Sequence, residues 1–397
     1  MGWNWVIHLA KDHDLWVLTE ANECESAIKA YFEEHPKQGK HITVIGIPRE
    51  RFGEEIWSSF FYYWTYRRWQ ADAYITAVEL HQKVGFDLAH QLNMIGFREP
   101  GYLWKLPIPF IWGPIGGHAQ MPWRFMSSLG WRSASKYTIR NILNWVQMYA
   151  SWRVRKAASK AAVLIAATEE DRTAIVRIHK RAPLLMNEQG AKGDLKVSPK
   201  IRDKKAPLRV AWCGLFLGRK GLPLGLKALR YMANENQLVE LDIIGSGECE
   251  VEWRALADDL LVSGMCRWYG MVSHAKAQEI MASCDVLLFT SIQEGTPAVV
   301  IEAIQAGLPV ICHDSCGFGA IIDETCGIKV PVLSPKISSR GFADALITLA
   351  TNPERYAALS KGALKKAKIL SWENKVKVLA QVYLQTTGVY VSNATEA

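Results

Sequence analysis

The sequence predicts an α/β protein made of two doubly wound domains with a cleft between them. The chain has 397 residues, enough for two domains that each bury a core. Short apolar, strand-like runs alternate with helical patterns in both halves, as in parallel sheets covered by helices. Between the halves, residues 187–207 are polar, contain glycine and proline, and lack apolar periodicity. These properties are typical of a linker.

Residues 1–186 are predicted to form the first domain. A helix is expected to begin the chain, because residues 3–11 precede a strand-like run without a turn signal. The further predicted helices are residues 24–35 and 60–80, and the predicted strands are residues 14–19, 41–47, 86–90 and 109–112.

Residues 208–370 are predicted to form the second domain. Its expected strands are four apolar runs: 208–213, 240–244, 285–289 and 309–312. A last helix is predicted over residues 371–387, with Ser371 as its N-cap and Glu373 in its first turn.

Two glutamates, Glu294 and Glu302, are the most informative residues of the second half. Glu294 follows a buried strand, so it lies on a loop at that strand's carboxyl end. Gly295 begins a turn into a helix, for which the sequence predicts Thr296 as N-cap and Pro297 as the first residue. In an open parallel sheet such a loop borders the ligand crevice, and the helix amides favour an anion.

This stretch resembles the nucleotide-sugar site of the retaining glycosyltransferases of family 4, in particular the bacterial polysaccharide-type members. The family signature has two glutamates separated by seven residues, then alanine, a small residue, glycine, and proline-valine. The matching residues are Glu294, Glu302, Ala303, Ala306, Gly307, Pro309 and Val310. The resemblance extends over nearly the whole chain. It implies the GT-B fold, with two Rossmann-like domains and a final helix that crosses back to the first.

The resemblance also implies a donor site. Glu302 is expected to accept hydrogen bonds from ribose hydroxyls, and Glu294 to contact the donor sugar. Lys220 matches the lysine of the family's phosphate clamp, but Leu215 stands where the family has arginine, so Arg219 is expected to supply the second charge. The alternative for Arg219 and Lys220 is a solvated basic pair. The other expected donor-binding residues are Gly214, Gly245, Gly247, Tyr269, Met271, Val272, Gly295, Thr296, Pro297 and Ala298.

On the acceptor side, a Gly-Pro-x-Gly-Gly loop of the same family matches residues 113–117. Gly116 and Gly117 would allow close approach of the backbone to the donor. His118 is expected to bind the sugar and is counted with Lys220 and Arg219 among the catalytic candidates, as is Glu294. His90 matches a family cleft position. The alternatives are a surface-loop histidine at position 118 and a packed strand-end histidine at position 90.

The resemblance therefore implies a retaining hexosyltransferase. It would move a sugar from a nucleotide diphosphate-sugar to a lipid- or polysaccharide-linked acceptor in cell-surface glycan synthesis. The resemblance implies a metal-independent reaction, so no metal and no other cofactor is expected. Family members begin with a strand and a glycine-rich loop before the helix that starts here at Gly2, so the first strand is expected to be missing. A truncated, non-catalytic relative that binds nucleotide-sugar or glycan, and a sugar-nucleotide epimerase, remain alternatives.

Charge and aromatic content indicate the cellular location of the protein. The net charge is +8, and residues 100–168 contain nine Lys or Arg residues, six tryptophans and no acid. Residues 137–160 are predicted to form an amphipathic helix with Ile139, Leu143 and Val146 on one face, suited to an anionic membrane. The alternative is a domain helix with solvated cations. A cytoplasmic protein at the inner membrane face is expected, without a nucleic-acid partner, a signal peptide or a membrane span.

Overall fold

The computed structural model describes residues 2–49, 58–92, 96–193 and 197–388. Two α/β domains with parallel sheets follow one another along the chain, so the predicted fold class is confirmed. None of the helices within these ranges is both long and apolar enough to cross a bilayer.

The strands of the first domain form two separate parallel sheets. They are β1 (Leu15–Glu20), β2 (Ile42–Ile47), β3 (Ala89–Gln91), β4 (Phe110–Ile115), β5 (Val163–Ala166) and β6 (Leu184–Leu185). β1 pairs with β2, while the other four strands pair in the order β3-β4-β5-β6. The first domain thus has a divided sheet in the described residues, where the sequence predicted a single doubly wound sheet.

Seven helices are described in the first domain. They are α1 (Gly2–Leu9), α2 (Ser26–Glu34), α3 (Pro36–Gly39), α4 (Ser58–Val84), α5 (Trp131–Ala150), α6 (Trp152–Lys160) and α7 (Glu169–His179). The prediction of a single helix over residues 137–160 is wrong, because two helices, α5 and α6, cover this stretch. Ser151 adopts an extended conformation and its hydroxyl accepts a hydrogen bond from the Val154 amide, so it ends α5 and caps α6.

The second domain has one six-stranded parallel sheet. Its strands are β7 (Leu208–Cys213), β8 (Val239–Ile244), β9 (Cys266–Gly270), β10 (Val286–Phe289), β11 (Val310–His313) and β12 (Gly327–Val330). The order is β12-β11-β10-β7-β8-β9. From β7 the chain adds strands first on one side and then, from β10, on the other. The strand order therefore reverses between β7 and β10, and a ligand crevice is expected at their carboxyl ends.

Helices cover both faces of this sheet. They are α8 (Leu222–Asn234), α9 (Glu250–Asp259), α10 (His274–Ser283), α11 (Ala298–Gln305), α12 (Cys316–Ile321), α13 (Pro335–Thr351) and α14 (Pro353–Ile369), and α15 (Trp372–Thr387) follows them. Ser371 caps α15 by accepting a hydrogen bond from the Asn374 amide. Trp372 and Leu379 of α15 share a buried cluster with Trp5 and Ile111 of the first domain, so the last helix packs on that domain.

Candidate active site

Two loops meet where the strand order of the second sheet reverses. The loop after β7 carries Gly214, Arg219 and Lys220, and the loop after β10 carries Glu294. The Ile292 amide donates a hydrogen bond of 2.9 Å to the Arg219 carbonyl, which fixes one loop against the other. The structure therefore brings these sequence-predicted residues together at the expected crevice.

Glu294 pairs with both basic residues of the first loop. Its Oε2 lies 2.6 Å from Lys220 Nζ, and its Oε1 lies 2.8 Å from Arg219 Nη1. Burial opposes ionisation of Glu294, but the two cations outweigh it and lower the pKa of the carboxyl. Lys220 is only 9% exposed, so it is held in place rather than solvated. The crevice thus holds two oriented cations whose charge is partly balanced by one carboxylate.

Arg219 is the residue expected to supply the second positive charge in place of the family's arginine. Leu215, at the position where the resemblance implies arginine, is 51% exposed and contributes no charge. The Arg219 guanidinium also donates to the Gln293 carbonyl, at 3.1 Å, in addition to its contact with Glu294. It therefore stands beside Lys220 on the same carboxylate, as expected if it supplies the second positive charge.

The Gly-x-Gly turn after β8 lies against the backbone of the loop after β7. Gly245 has a φ of +132°, and a Cβ there would lie 2.0 Å from the Gly214 carbonyl oxygen. Gly247 has a φ of +155°, and its Cβ would lie 2.9 Å from the backbone nitrogen and oxygen of Phe216. Both positions require glycine, so this turn supports the loop that carries Lys220.

The start of α11 differs by one residue from the prediction. Pro297 is the N-cap, in extended conformation, and α11 begins at Ala298. Thr296 does not cap the helix: its amide donates to Glu188 Oε1, at 2.9 Å, and its buried hydroxyl has no hydrogen-bond partner among the described residues. Gly295, which precedes it, is exposed at the mouth of the loop.

Glu302 lies in the second turn of α11, on the side that faces α10. Its Oε1 is 2.9 Å from Nε2 of His274, the first residue of α10, and its side chain is 22% exposed. The partly open carboxylate is available to a ligand hydroxyl. His274 was not among the sequence-predicted residues.

The residues expected near the nucleotide base follow β9. The Tyr269 hydroxyl donates to Asp242 Oδ1 at 3.3 Å, which directs this ring along the sheet. Met271 is 65% exposed, and Val272 is half-buried in the connection to α10. Their position at the strand's carboxyl end puts them at the same edge of the sheet as Glu302.

The predicted acceptor-side loop, residues 113–117, overlaps the end of β4: residues 113–115 belong to the strand, and Gly116 and Gly117 follow it. Gly116 is buried and bridges Gly96, while Gly117 is exposed with a φ of +90°. His118 is buried, its ring stacks on Phe97 at 4.4 Å, and its Nδ1 lies 2.9 Å from Asp171 Oδ1. This packing places His118 inside the first domain, and a contact with sugar stays a prediction.

His90 connects the first domain to the last helix. Its Nε2 lies 2.7 Å from the Gly113 carbonyl and its Nδ1 lies 2.6 Å from the Tyr383 hydroxyl. A carbonyl only accepts, so Nε2 carries the proton and Nδ1 accepts from Tyr383. Burial lowers the pKa of His90 to about 4. Both nitrogens are thus used within the protein.

Parts of the sequence are similar to known proteins. Residues 196–366 match the family model of group 1 glycosyl transferases. The chain is similar to the amylovoran biosynthesis glycosyltransferase AmsK of Erwinia amylovora (24% identity over 161 residues). It is also similar to the lipopolysaccharide glucosyltransferase WaaG of Escherichia coli K12 (31% identity over 118 residues). These alignments span 39% and 30% of this chain, and only 39% and 31% of the relatives' own lengths.

Solved structures resemble the fold over nearly its whole length. Sucrose-phosphate synthase of Thermosynechococcus elongatus superposes with a TM-score of 0.63 at 16% identity, covering 98% of this chain and 92% of that one. Anabaena HepE in complex with UDP gives a TM-score of 0.63 at 15% identity, covering 96% and 95%. The fold is GT-B. The sequence matches given above, over part of the chain, are to glycosyltransferases.

Two further carboxylates of this GT-B structure were missed by sequence reasoning. Glu188 of the linker accepts from the Thr296 amide, and Glu170 of α7 accepts from the Cys316 amide at 2.5 Å. In each carboxylate the second oxygen is buried without a partner among the described residues. Both bonds tie the first half of the chain to loops at the carboxyl edge of the second sheet, next to Glu294.

Proposed function

We propose that the protein is a retaining hexosyltransferase that uses a nucleotide diphosphate-sugar donor. The acceptor would be a lipid- or polysaccharide-linked glycan in cell-surface synthesis. Names of two relatives, AmsK and WaaG, refer to amylovoran and lipopolysaccharide, which supports a glycan of this class. A cytoplasmic enzyme would meet such an acceptor at the inner face of the membrane.

One observation carries this proposal: the cluster of Lys220, Arg219 and Glu294 at the reversal point of the second sheet, with Glu302 on the adjacent helix. A nucleotide diphosphate needs positive charge, and the crevice provides two oriented cations. Ribose offers vicinal hydroxyls, for which a carboxylate such as Glu302 is a strong, charge-assisted acceptor. The cluster therefore fits the two ends of a nucleoside diphosphate.

The chemistry follows from what these side chains stabilise. The bond between the anomeric carbon and the diphosphate oxygen breaks, and negative charge develops on the leaving phosphate. Lys220 and Arg219 are placed to stabilise that charge without a metal ion. The acceptor hydroxyl attacks from the face that the phosphate leaves, and its proton passes to the leaving phosphate oxygen. The configuration is retained, and no protein side chain is needed as a base.

Glu294 would serve two roles in this mechanism. Before the donor binds, its carboxylate holds both cations in position. With the donor bound, the phosphate takes over the cations and Glu294 is released to accept hydroxyl groups of the donor sugar. Exchange of one anion for another keeps the crevice near charge balance throughout.

Turnover of labelled nucleotide diphosphate-sugars in the presence of bacterial lipid-linked and polysaccharide acceptors tests the proposal. We expect transfer of label to an acceptor, with the anomeric configuration unchanged in the product by NMR. Activity should persist in excess chelator, because the cations of the site are side chains. Hydrolysis or transfer with inversion, or complete loss of transfer in chelator, would refute the mechanism.

A second candidate is a relative that binds nucleotide-sugar without transferring it. Leu215, in place of arginine, and Glu188, which occupies the Thr296 amide, favour this possibility. Calorimetry and the transfer assay together separate the two candidates: binding of a nucleotide diphosphate-sugar without any transfer to the acceptor panel supports the binding protein.

A further inference from the structure

On helix α5 the buried side is partly polar and the exposed side is apolar, unlike in an ordinary helix of a water-soluble domain. Its buried positions between the helix ends are Tyr137, Asn141, Asn144 and Met148. Asn141 accepts from the Met121 amide and donates to the Met121 carbonyl, so it fixes the helix by hydrogen bonds. Half of the buried seam is therefore polar.

The opposite side of α5 is apolar and faces solvent. The spacing of three and four residues puts its members on neighbouring turns of one broad face. We call this face the α5 patch: Ile139, Ile142, Leu143, Trp145, Val146 and Tyr149, which are 40–58% exposed. Trp152, at the start of α6, is also exposed. A contiguous apolar face of this size indicates a contact surface.

Charge identifies the kind of surface that fits. The exposed cations Lys136 and Arg140 lie on α5 itself, and Arg155 and Lys156 lie on α6. No acidic residue occurs between positions 100 and 168. A second copy of the chain would bring the same positive charge to the contact, which disfavours self-association. An anionic lipid surface satisfies both the apolar face and the cations, and exposed Trp and Tyr side chains are favoured at the lipid–water interface.

One cation of this stretch is not available to lipid. Arg153 is buried, and its Nη1 lies 3.0 Å from Glu99 Oε2. It also stacks over the Tyr102 ring. Arg153 therefore stabilises the domain, and the electrostatic part of lipid binding falls to the exposed residues.

We propose that the α5 patch docks on an anionic bilayer, with α5 lying in the plane of the interface. A 20-residue helix is about 30 Å long, and its apolar face would enter the boundary between headgroups and acyl chains. Lys136 and Arg140 contact the phosphate groups of the lipids. The docking is independent of the transferase activity proposed above.

The other side of α5 connects this surface to the crevice. Tyr137 belongs to the buried cluster that contains Phe216 and Ile292 of the second domain. Burial raises the pKa of Tyr137, and the nearby Arg219 guanidinium opposes that shift. Ser133 Oγ lies 3.3 Å from the position of a Cβ on Gly218, in the loop after β7. Docking of the patch thus brings the loop of Lys220 to within one helix diameter of the membrane, about 10 Å.

Co-sedimentation with vesicles tests the proposal. We expect the protein to bind vesicles of phosphatidylcholine that contain about 30% phosphatidylglycerol, an anionic lipid. It should bind vesicles of pure phosphatidylcholine much less. Replacing Lys136→Gln and Arg140→Gln together should weaken binding roughly fivefold per cation, because each contributes about 1 kcal/mol near an anionic surface. Binding should also weaken in high salt.

The apolar contribution to vesicle binding is tested separately with Ile142→Gln and Val146→Gln, at two positions one turn apart on the α5 patch. These exposed changes should leave the melting temperature nearly unchanged and strongly reduce vesicle binding. Matched controls are Ile75→Gln, an exposed apolar residue of α4, and Lys336→Gln on α13 with Lys377→Gln on α15. The controls should bind vesicles as the wild type does.

Three results would overturn the proposal. The first is no binding to either kind of vesicle. The second is vesicle binding that the patch variants and the control variants share equally. The third is a dimer in light scattering that the patch variants abolish, because the patch would then be an interface between copies of this chain.

Discussion

Lys220 and Glu294 form an ion pair, with 2.6 Å between Nζ and Oε2, that joins the loops after β7 and β10 where the second sheet reverses its strand order. The same carboxylate holds Arg219 through its other oxygen. One acidic residue therefore organises the whole positive charge that we assign to the donor diphosphate.

Lys220→Met should lower kcat about 100-fold or more, while the affinity for the free nucleoside changes little. The lysine stabilises charge that develops on the leaving phosphate, so its removal affects the transition state more than the ground state. Steady-state kinetics and calorimetry with the nucleoside measure the two effects. Lys227→Met, an exposed change on α8, is the control. Equal losses in kcat and in nucleoside affinity would contradict the assigned role.

Glu188→Gln should strengthen binding of a nucleotide diphosphate about fivefold. Glutamine still accepts a hydrogen bond from the Thr296 amide, but it removes a negative charge next to the anion site. Titration calorimetry measures the change, with Glu279→Gln on α10 as a control for an exposed carboxylate. Weaker binding than in the wild type would show instead that the Glu188 carboxylate contacts the donor.

Gly245→Ala should lower the melting temperature by several degrees and abolish donor binding. The new Cβ would lie 2.0 Å from the Gly214 carbonyl oxygen, at a φ of +132° that disfavours alanine. Gly264→Ala is a matched control, because a Cβ there meets no atom within 4 Å. Thermal unfolding of the two variants in parallel decides the point, and similar melting temperatures would contradict the described packing of the turn.

Stability should fall as the pH is lowered from 6.5 towards 4. Burial lowers the pKa of His90 from 6.5 to about 4, so the folded protein holds the neutral ring and the unfolded chain binds a proton first. The stabilising contribution is complete above pH 6.5 and is lost as the pH falls towards 4, at up to about 1.4 kcal/mol per pH unit. The buried ring of His313 acts in the same direction.

His90→Gln separates this contribution from that of the other histidines. The variant should be less stable than the wild type at pH 7.5, because the bonds to Gly113 and Tyr383 are altered. Its melting temperature should then fall less steeply between pH 7.5 and 5.5. Parallel slopes for variant and wild type would show that His90 does not contribute to the acid sensitivity.

Much of the fold could be predicted because its elements are defined by local pattern. β7 begins and ends at the predicted residues, since Pro207 and Gly214 bound a single apolar run. Tertiary contacts shifted other boundaries. β3 starts at Ala89, three residues later than predicted, because the Phe86 amide is bound to His81 Nδ1 at the end of α4.

The candidate site was predictable where its residues belong to local motifs that the family resemblance covers. Glu294 and Glu302 lie on a strand-end loop and the helix that follows it, so this local pattern predicted that they border a crevice. Glu188 and Glu170 reach their amides across 108 and 146 residues. No local pattern encodes contacts of that range, and a glutamate in a polar linker gives no signal of its own.

Titration calorimetry of Glu302→Gln with a nucleoside diphosphate tests whether this crevice is the nucleotide-sugar site. The change keeps the shape of the side chain but removes the charge-assisted bonds to ribose, so we predict a loss of roughly 1.5–3 kcal/mol in binding, with a nearly unchanged melting temperature. Glu279→Gln should bind as the wild type does. An unchanged affinity in Glu302→Gln would contradict the assignment of the nucleotide-sugar site to this crevice.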